Sequence, residues 1–421
     1  MKIRRLLVLS IIALLVFALA GCSSSKNSDE ANGKTVINYF SFSATPDHET
    51  QLNEMIKAFE AKNPNIKVKT ELAAYNDYFT KLQTRIAGGK APDVFELNYE
   101  NFVEYASKGT LVDLSGYIKD DKDFKPEQLN QQAFKAYQYD GKQYGMVESF
   151  SNVLTFYNKD LFDQAGVAYP TADWKWADEL DAAKKLTDKN NKVWGTFAPV
   201  TMNEFFKIAA QNGGQIFDND GNIAINSPEN LEALNYMVDK VTKDQISPTP
   251  ADLSGQSPED LFKSGKLAIL HTGIWMFDAF KDLPFKWDVQ LEAGNTKQAH
   301  HFFANGLAVS KDSKQKEAAY KFASFMSASE EVAKIRVDSA WELPAITNQD
   351  ILNPYLEKNP PQNRKAVFEA LDSLVLPPVV ENWSKISDAT NKQFEQALNG
   401  EKSTKEVLES LESEYKQILN K

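Results

Sequence analysis

A single cysteine, Cys22, in a chain of 421 residues excludes a disulfide framework. Histidine offers no metal site either. His300-His301 is the only adjacent pair; it has no cysteine partner, and neighbours in a strand point to opposite faces. Long apolar runs are equally scarce. Only Leu6 to Ala20 forms one, broken by Ser10, and it is short for a hydrocarbon core, which needs about 20 residues. Basic charge is in deficit: 47 Lys and Arg against 58 Asp and Glu leave a net charge of -11, which argues against nucleic acid as a partner. Catalytic and nucleotide motifs are missing as well. No Gly-x-Ser-x-Gly run occurs, and Gly33-Lys34-Thr35 lacks the glycine that a phosphate loop carries five residues earlier.

What is present starts at the lone cysteine. Lys2, Arg4 and Arg5, the apolar run and the small residues before Cys22 have the layout of a secretory signal that is removed. Leu19-Ala20-Gly21-Cys22 resembles the lipobox of bacterial lipoproteins. That resemblance implies cleavage after residue 21, a lipid on the Cys22 sulfur, and attachment to the outer face of a bacterial cell membrane. Residues 22–33, with Ser23 to Gly33 free of bulky apolar side chains, read as a flexible tether. Without the three basic residues of the signal, 44 basic groups face 58 acidic ones, or -14. The remaining length, near 400 residues, exceeds the roughly 250–300 that one core usually spans. Two domains are expected.

Val36 to Phe42 is rich in β-branched and aromatic residues and predicts a strand. Leu52, Met55, Ile56 and Phe59 follow at helical spacing before Asn63-Pro64-Asn65. Ile66 to Leu72 predicts a second strand, Tyr78, Phe79, Leu82 and Ile86 a second helix, and Asp93 to Leu97 a third strand. This alternation implies an α/β fold with parallel sheets and right-handed crossovers. Ligands in such sheets bind beyond the carboxyl ends of the strands, which here are Ser41-Phe42-Ser43 and Asn98-Tyr99-Glu100. Further on, Val193 to Phe197 and Leu267 to Leu270 predict strands, and Thr201 to Asn203 precede a helix. Near the end, Val407, Leu408, Leu411, Tyr415, Ile418 and Leu419 form one apolar face behind a Ser403–Glu406 capping box.

The run Pro64 to Leu97 (PNIKVKTELAAYNDYFTKLQTRIAGGKAPDVFEL) resembles the family 1 extracellular solute-binding proteins of ABC importers, the group that includes maltose-binding protein. Gly141 to Phe162, Ser227-Pro228-Glu229, Phe262 to Trp275 and Asn305 to Lys311 match in the same order, so the resemblance covers nearly the whole mature chain. It implies two α/β lobes of the periplasmic-binding-protein type, joined by a hinge and closing on a solute held between them. It implies no cofactor, no metal and no catalytic residue, and as partners the subunits of an ABC permease. A monomer is expected. Two β-prone runs, Lys142 to Val147 and Val153 to Tyr157, flank Glu148 to Asn152, where a first lobe crossing is expected. Others fall near His301 to Asn305 and Trp341 to Pro344. Lobe I is thus assigned to 34–149 and 303–342, lobe II to 150–302 and 343–421.

Candidate ligand contacts follow from the strand ends, the crossings and the resemblance: Ser41, Ser43, Asn98, Tyr99, Glu148, Thr201, Asn203, Trp275, Asn305, Gly306, Trp341, Glu342 and Trp383. One departure is noted: family members often carry a methionine where this chain has Leu270-His271. Of the seven tryptophans, Trp174, Trp176, Trp194 and Trp287 lie in segments read as packing, and Trp275, Trp341 and Trp383 in segments read as binding. Aromatic rings with Asp, Glu, Asn and Ser suit a sugar, which has an apolar C–H face and a rim of hydroxyls. A carboxylate such as Glu148 or Glu342 can accept from two hydroxyls. Two alternatives are weighed. A glycoside hydrolase would use Glu148 and Glu342 as a carboxylate pair about 5–9.5 Å apart, and the same fold could take a polyamine, a metal chelate or an anion. Against anions, the candidate segments contain no Arg or Lys cluster.

Overall fold

In the computed structural model, residues 33–42, 46–218, 220–378 and 380–420 are described. The signal (1–21), Cys22, nearly all of the tether and Ser43 therefore lie outside the described residues. Eight principal strands organise the chain: β1 (Thr35–Ser41), β2 (Ile66–Leu72), β3 (Val94–Asn98), β4 (Gly145–Asn158), β5 (Trp194–Phe197), β6 (Leu267–Gly273), β7 (Trp287–Gln290) and β8 (His300–Val309). They hydrogen-bond in the order β2-β1-β3-β8-β4-β6-β5, with β7 added on β4. Two short strands complete the arrangement, β9 (Leu343–Pro344) on β4 and β10 (Leu374–Val375) on β8.

The parallel pairing expected from the helix–strand alternation holds for β2-β1-β3 and for β5-β6. The strands between them differ. β8 runs antiparallel to both β3 and β4, and β4 antiparallel to β6. The physical reason lies in the connections, because strands that carry the chain from one half of the sheet to the other return in the opposite direction. β4 is also one unbroken, fully buried strand of 14 residues, not two runs with a break. In its polar middle, Ser149 to Asn152 pair on one side with β8 and Ser149-Phe150 with β9, while Glu148 sits where the β8 register shifts, so the segment is strand although its side chains look loop-like.

Helices cover the sheet. The ones used below are α1 (Pro46–Lys62), α2 (Tyr75–Ala87), α3 (Tyr99–Ser107), α4 (Met202–Gln211), α5 (Pro228–Thr242), α6 (Glu330–Ser339), α7 (Trp383–Leu398) and α8 (Thr404–Ile418). Leu52, Met55, Ile56 and Phe59 of α1 and Tyr78 and Leu82 of α2 are buried as their spacing predicts. In α8 the Ser403 capping box is present, and Val407, Leu408, Leu411 and Tyr415 are buried. One large apolar cluster follows β1, β3, β4, β6 and β8. A second joins α4, α5, α7 and α8.

Candidate functional site

The site is built where three segments cross. Ser149 of β4 stands opposite Asn305 of β8 and Pro344 of β9, and Phe150 stands opposite Ala304 and Leu343. Side chains alternate along a strand, and directly opposite residues share a face. One face therefore collects His301, Phe303, Asn305, Ser149 and Ser151; the other collects His300, Phe302, Ala304, Phe150 and Asn152. The second face is core: Phe150 and Phe302 meet at 6.4 Å, and Asn152 Nδ2 donates to the Val367 carbonyl at 2.7 Å. The first is the face with chemistry. Phe303 and Asn305 stay partly exposed between buried neighbours.

Elements from both halves of the sheet converge on that face. Trp275, just past β6, meets Phe303 edge-to-face at 5.5 Å and 77°. Its ring folds back over Gly273, where an added Cβ would come within 1.9 Å of it. Phe206 of α4 lies 4.6 Å from the His301 ring, which stacks on Phe303 at 3.6 Å and 11°. The buried Ser151 Oγ and Asn203 Oδ1 have no hydrogen-bond partner. From the other half, Asn98 Oδ1 caps α3 by accepting from the Asn101 amide at 3.3 Å, while its Nδ2 donates to the Tyr75 hydroxyl at 2.9 Å.

Beneath the crossing lies a charged cluster assembled from distant parts of the chain. The Arg336 guanidinium on α6 pairs with Glu148 and stands 3.6 Å from Glu342. Ser149 Oγ donates to Glu342 at 2.5 Å, and Asn305 Nδ2 donates to it at 3.3 Å. Glu96 of β3 accepts from Ser41 Oγ at 2.6 Å and from the Phe42 amide at 3.2 Å. Burial, then the nearby Glu148, pushes the Glu96 carboxyl up to about 8. Burial also raises Glu148, although Arg336 opposes it. Trp341 is sealed by neighbours, stacked with His48 at 4.3 Å and with the Arg336 guanidinium 4.5 Å from its ring. Burial, followed by Arg336, lowers His48 to about 4.

The sequence candidates thus separate. Asn305, Asn203, Thr201 and Trp275 are partly exposed; Asn305 is on the polar face, Trp275 against it, and Asn203 one helical turn from Phe206. Glu148, Glu342 and Ser41 are present but turned inward onto Arg336, Ser149 and Glu96. Asn98 is committed to its helix and to Tyr75, and Tyr99 is buried, 6.3 Å from Phe302. Gly306 belongs to the core: a Cβ there would strike the Tyr137 ring at 2.6 Å, and that Tyr137 hydroxyl donates to Leu97 and Ala304 carbonyls. Trp383, read as binding, is buried in the apolar cluster of α4 and α7. Trp176 stacks on Tyr236 at 4.2 Å, and Trp287 packs on Phe156 at 5.6 Å, in keeping with their packing assignment.

Several neighbours of these residues carry no motif. Tyr75, His48, Arg336 and Glu96 were found only through their contacts, whereas Phe303 could have been read from its two-residue spacing to Asn305. The Leu270-His271 departure also has an explanation. His271 is buried between Glu179 and Glu292, at 3.1 and 3.0 Å, inside a network that includes Lys207, Lys240 and Tyr236. The two carboxylates hold its pKa up to about 9, and through Lys207 the network adjoins Phe206 on α4.

The Glu148–Glu342 pair does not suit glycoside hydrolysis. Both carboxylates converge on one guanidinium and are buried, so neither is free to protonate a leaving group or attack a sugar. Among the described residues no cluster of potential metal ligands occurs, and no helix is long and apolar enough to cross a membrane.

Comparison with known proteins agrees with the geometry. An ABC substrate-binding protein from Listeria monocytogenes, solved in complex with cycloalternan, is 63% identical and superposes with a TM-score of 0.90, over 92% of this chain and 99% of that one. The arabinooligosaccharide-binding protein of Bacillus subtilis is 26% identical over 99% of this chain and all of its own. A maltooligosaccharide ABC transporter solute-binding lipoprotein of Streptococcus pneumoniae is 24% identical over 94% of this chain and 93% of its own. The fold is the two-lobed one of such binding proteins, and the relatives are binding proteins of transporters, not enzymes. Residues 45–333 match the family description directly, and the chain belongs to the bacterial extracellular solute-binding proteins.

Proposed function

We propose that this protein is a receptor that binds a neutral oligosaccharide between its lobes and delivers it to an ABC importer, with cycloalternan as the first candidate. The observation that carries the reading is the single face bearing Phe303, Asn305 and Ser151, closed by Trp275 edge-on to Phe303 at 5.5 Å. Aromatic rings beside uncommitted polar atoms suit a pyranose. Charge supports neutrality of the ligand. Around the face the carboxyl groups of Glu100, Glu148 and Glu342 outnumber the Arg336 guanidinium, while Glu96 keeps its proton up to about pH 8 and His48 is uncharged, a setting that disfavours acidic sugars. The choice of cycloalternan rests on the 63% identical Listeria protein.

The lobes comprise 34–149 with 303–342, and 150–302 with 343–421, and they rotate about the β4, β8 and β9 crossings. The chain works as a monomer on the outer face of the bacterial membrane, tethered through a lipid on Cys22, which the lipoprotein name of the Streptococcus pneumoniae relative supports. Stable anchoring requires more than one acyl chain, so Cys22→Ala is expected to release the protein from the membrane fraction without altering its affinity. Thermal unfolding with cycloalternan, maltotriose and arabinotriose tests the ligand. At about 100 times the dissociation constant a bound sugar adds about 2.7 kcal/mol of stability. Absence of a melting shift with all three would reject the reading.

A further inference from the structure

Lys207, in the middle of α4, is 0% exposed. Its ammonium pairs with Glu204 on the same helix at 2.8 Å and with Glu292 just past β7. Glu292 also lies 3.0 Å from His271 Nδ1, His271 Nε2 lies 3.1 Å from Glu179, and Glu179 holds Lys240 of α5 at 3.0 Å. None of these six side chains is more than 8% exposed. Burial opposes the charge on Lys207, but Glu204 and Glu292 overcome it and raise its pKa. With His271 protonated, three carboxylates meet three cations, and the cluster is neutral as a whole.

Charge balance explains how the cluster survives burial, not why it is there. A buried ion pair is often replaced by packed apolar side chains at no cost in stability. Apolar packing lacks direction, however, whereas a buried ammonium is satisfied only where its donors meet acceptors. Lys207 therefore accepts one placement of α4 against Glu292, and an apolar side chain of similar length accepts several.

α4 is held at three levels. At its start the Met202 amide donates to Asn391 Oδ1 of α7 at 2.8 Å, and at its end Gln211 Nε2 donates to the Ala299 carbonyl, just before β8, at 3.0 Å. Between them Lys207 ties the helix, through Glu292, to the end of β7. The turn it anchors is the one that meets the aromatic and polar face. Phe206 is its neighbour, 4.6 Å from the His301 ring, and Asn203, four residues earlier on the same side of the helix, carries a buried Oδ1 with no partner. Moving that turn by about 1 Å stretches a hydrogen bond of about 2.9 Å out of range. The far end of the cluster differs: Glu179 and Lys240 join the helix Trp176–Leu186 to α5, two elements outside that face.

We propose that Lys207 is a positioning residue: bound to Glu204 and Glu292, it fixes the seat of α4 and so aims Asn203 and Phe206 at the sugar, without touching the sugar itself. The inference rests on the oligosaccharide reading given above.

Titration calorimetry with cycloalternan and maltotriose tests it on the full mature protein, alongside melting temperatures without ligand. Lys207→Met combined with Glu204→Gln leaves Glu179 and Glu292 matched to Lys240 and His271, so buried charge stays balanced. This double variant should melt near wild type yet bind about threefold to tenfold more weakly, the loss expected when a ligand hydrogen bond is misaligned. Lys240→Met combined with Glu179→Gln makes the equivalent change at the far end of the cluster and should bind within twofold of wild type. If wild type binds a probe and the Lys207 double variant binds within twofold of it, the positioning role is overturned while the sugar reading stands. Equal weakening by both double variants also overturns it, by showing that the cluster is structural only. Should the Lys207 double variant fail to fold, Glu292→Gln, which leaves Lys207 on Glu204 and His271 on Glu179, decides by the same limits. If wild type binds neither probe nor arabinotriose, the sugar reading fails first and takes the positioning role with it.

Discussion

Glu148 and Arg336 form an ion pair shut away from water at the point where the three crossings meet, although 188 positions separate them. Removing one member of a buried pair costs about 3–5 kcal/mol, because the other is left unpaired. Arg336 is the only cation described beside Glu148 and Glu342. Arg336→Met should therefore lower stability in urea unfolding by at least that amount, and adding Glu148→Gln should restore part of it. A loss below about 1 kcal/mol would mean that the pair does not hold the crossing together.

The Glu96 carboxyl, raised to about 8 by burial and then Glu148, gives the stability a defined pH dependence. Its folded pKa lies above the ordinary carboxylate value, so the folded state holds an extra proton between about pH 4.5 and 8. This contribution is complete below pH 4.5 and is lost as pH rises through 8. Wild type should lose on the order of a few kcal/mol across that window, and Glu96→Gln should flatten the slope. Parallel pH profiles of the two proteins would contradict this.

What could be read in advance follows a physical division. Local patterns were legible: the α1 and α2 faces, the β1 to β3 strands and the Ser403 cap each rest on residues close in sequence. Ser149 and Asn305, which pair in the structure, lie in the matched runs Gly141 to Phe162 and Asn305 to Lys311, but the continuity of β4 was not legible. Its pairing partners lie more than 100 residues away, and polar residues at 148–152 imitate a loop. The packing of the candidate residues was legible in part. Trp383 and Trp275 look alike in sequence, and only packing distinguishes a ring sealed among α4 and α7 from one set against Phe303. Arg336 and Tyr75 carry no motif, since their roles come from Glu148 and Asn98, which the chain brings near only on folding.

His271 supplies a second titration of the same sense, in the other half of the molecule. Burial alone would lower its pKa, but Glu179 and Glu292 overcome that and hold it up to about 9. Its stabilisation is present in full below the ordinary value near 6.5 and disappears as pH rises through 9. The window corresponds to roughly 3 kcal/mol. His271→Met leaves Lys240 on Glu179 and Lys207 on Glu292, so the variant should fold with reduced stability at pH 6 and approach wild type by pH 10. A stability gap that stays constant from pH 6 to 10 would show that the ring is uncharged.

Trp275 and Trp383 should respond in opposite ways to the same substitution. Trp275→Ala removes the ring set against Phe303 and should weaken binding of the proposed oligosaccharide by about 1.5–3 kcal/mol, roughly tenfold to a hundredfold or more. Gly273→Ala should mimic it, because the added methyl collides with that ring. Trp383→Ala should instead cost about 3–5 kcal/mol of stability and change affinity little in the folded fraction. Equal effects of Trp275→Ala and Trp383→Ala on affinity would return Trp383 to the binding surface.

Two hydrogen bonds test whether closure of the lobes is linked to ligand binding. Ser384 at the start of α7 donates to Glu104 of α3 at 2.5 Å, and Tyr139 donates to Glu381 at 3.1 Å. Both join the proposed lobe I to the proposed lobe II, and neither involves a residue of the aromatic and polar face. If they exist only in the closed arrangement, each favours closure by about 0.5–1.5 kcal/mol, and linkage passes that preference to the ligand. Ser384→Ala and Tyr139→Phe should then each weaken sugar binding by about twofold to tenfold, with additive effects in the double variant because the sites are separate. Small-angle scattering should show the ligand-free double variant at least as extended as wild type, and saturating sugar should compact both. Unchanged affinity in the double variant would mean that the two contacts persist in the open state, and the rotation would have to be sought in β4, β8 and β9 alone.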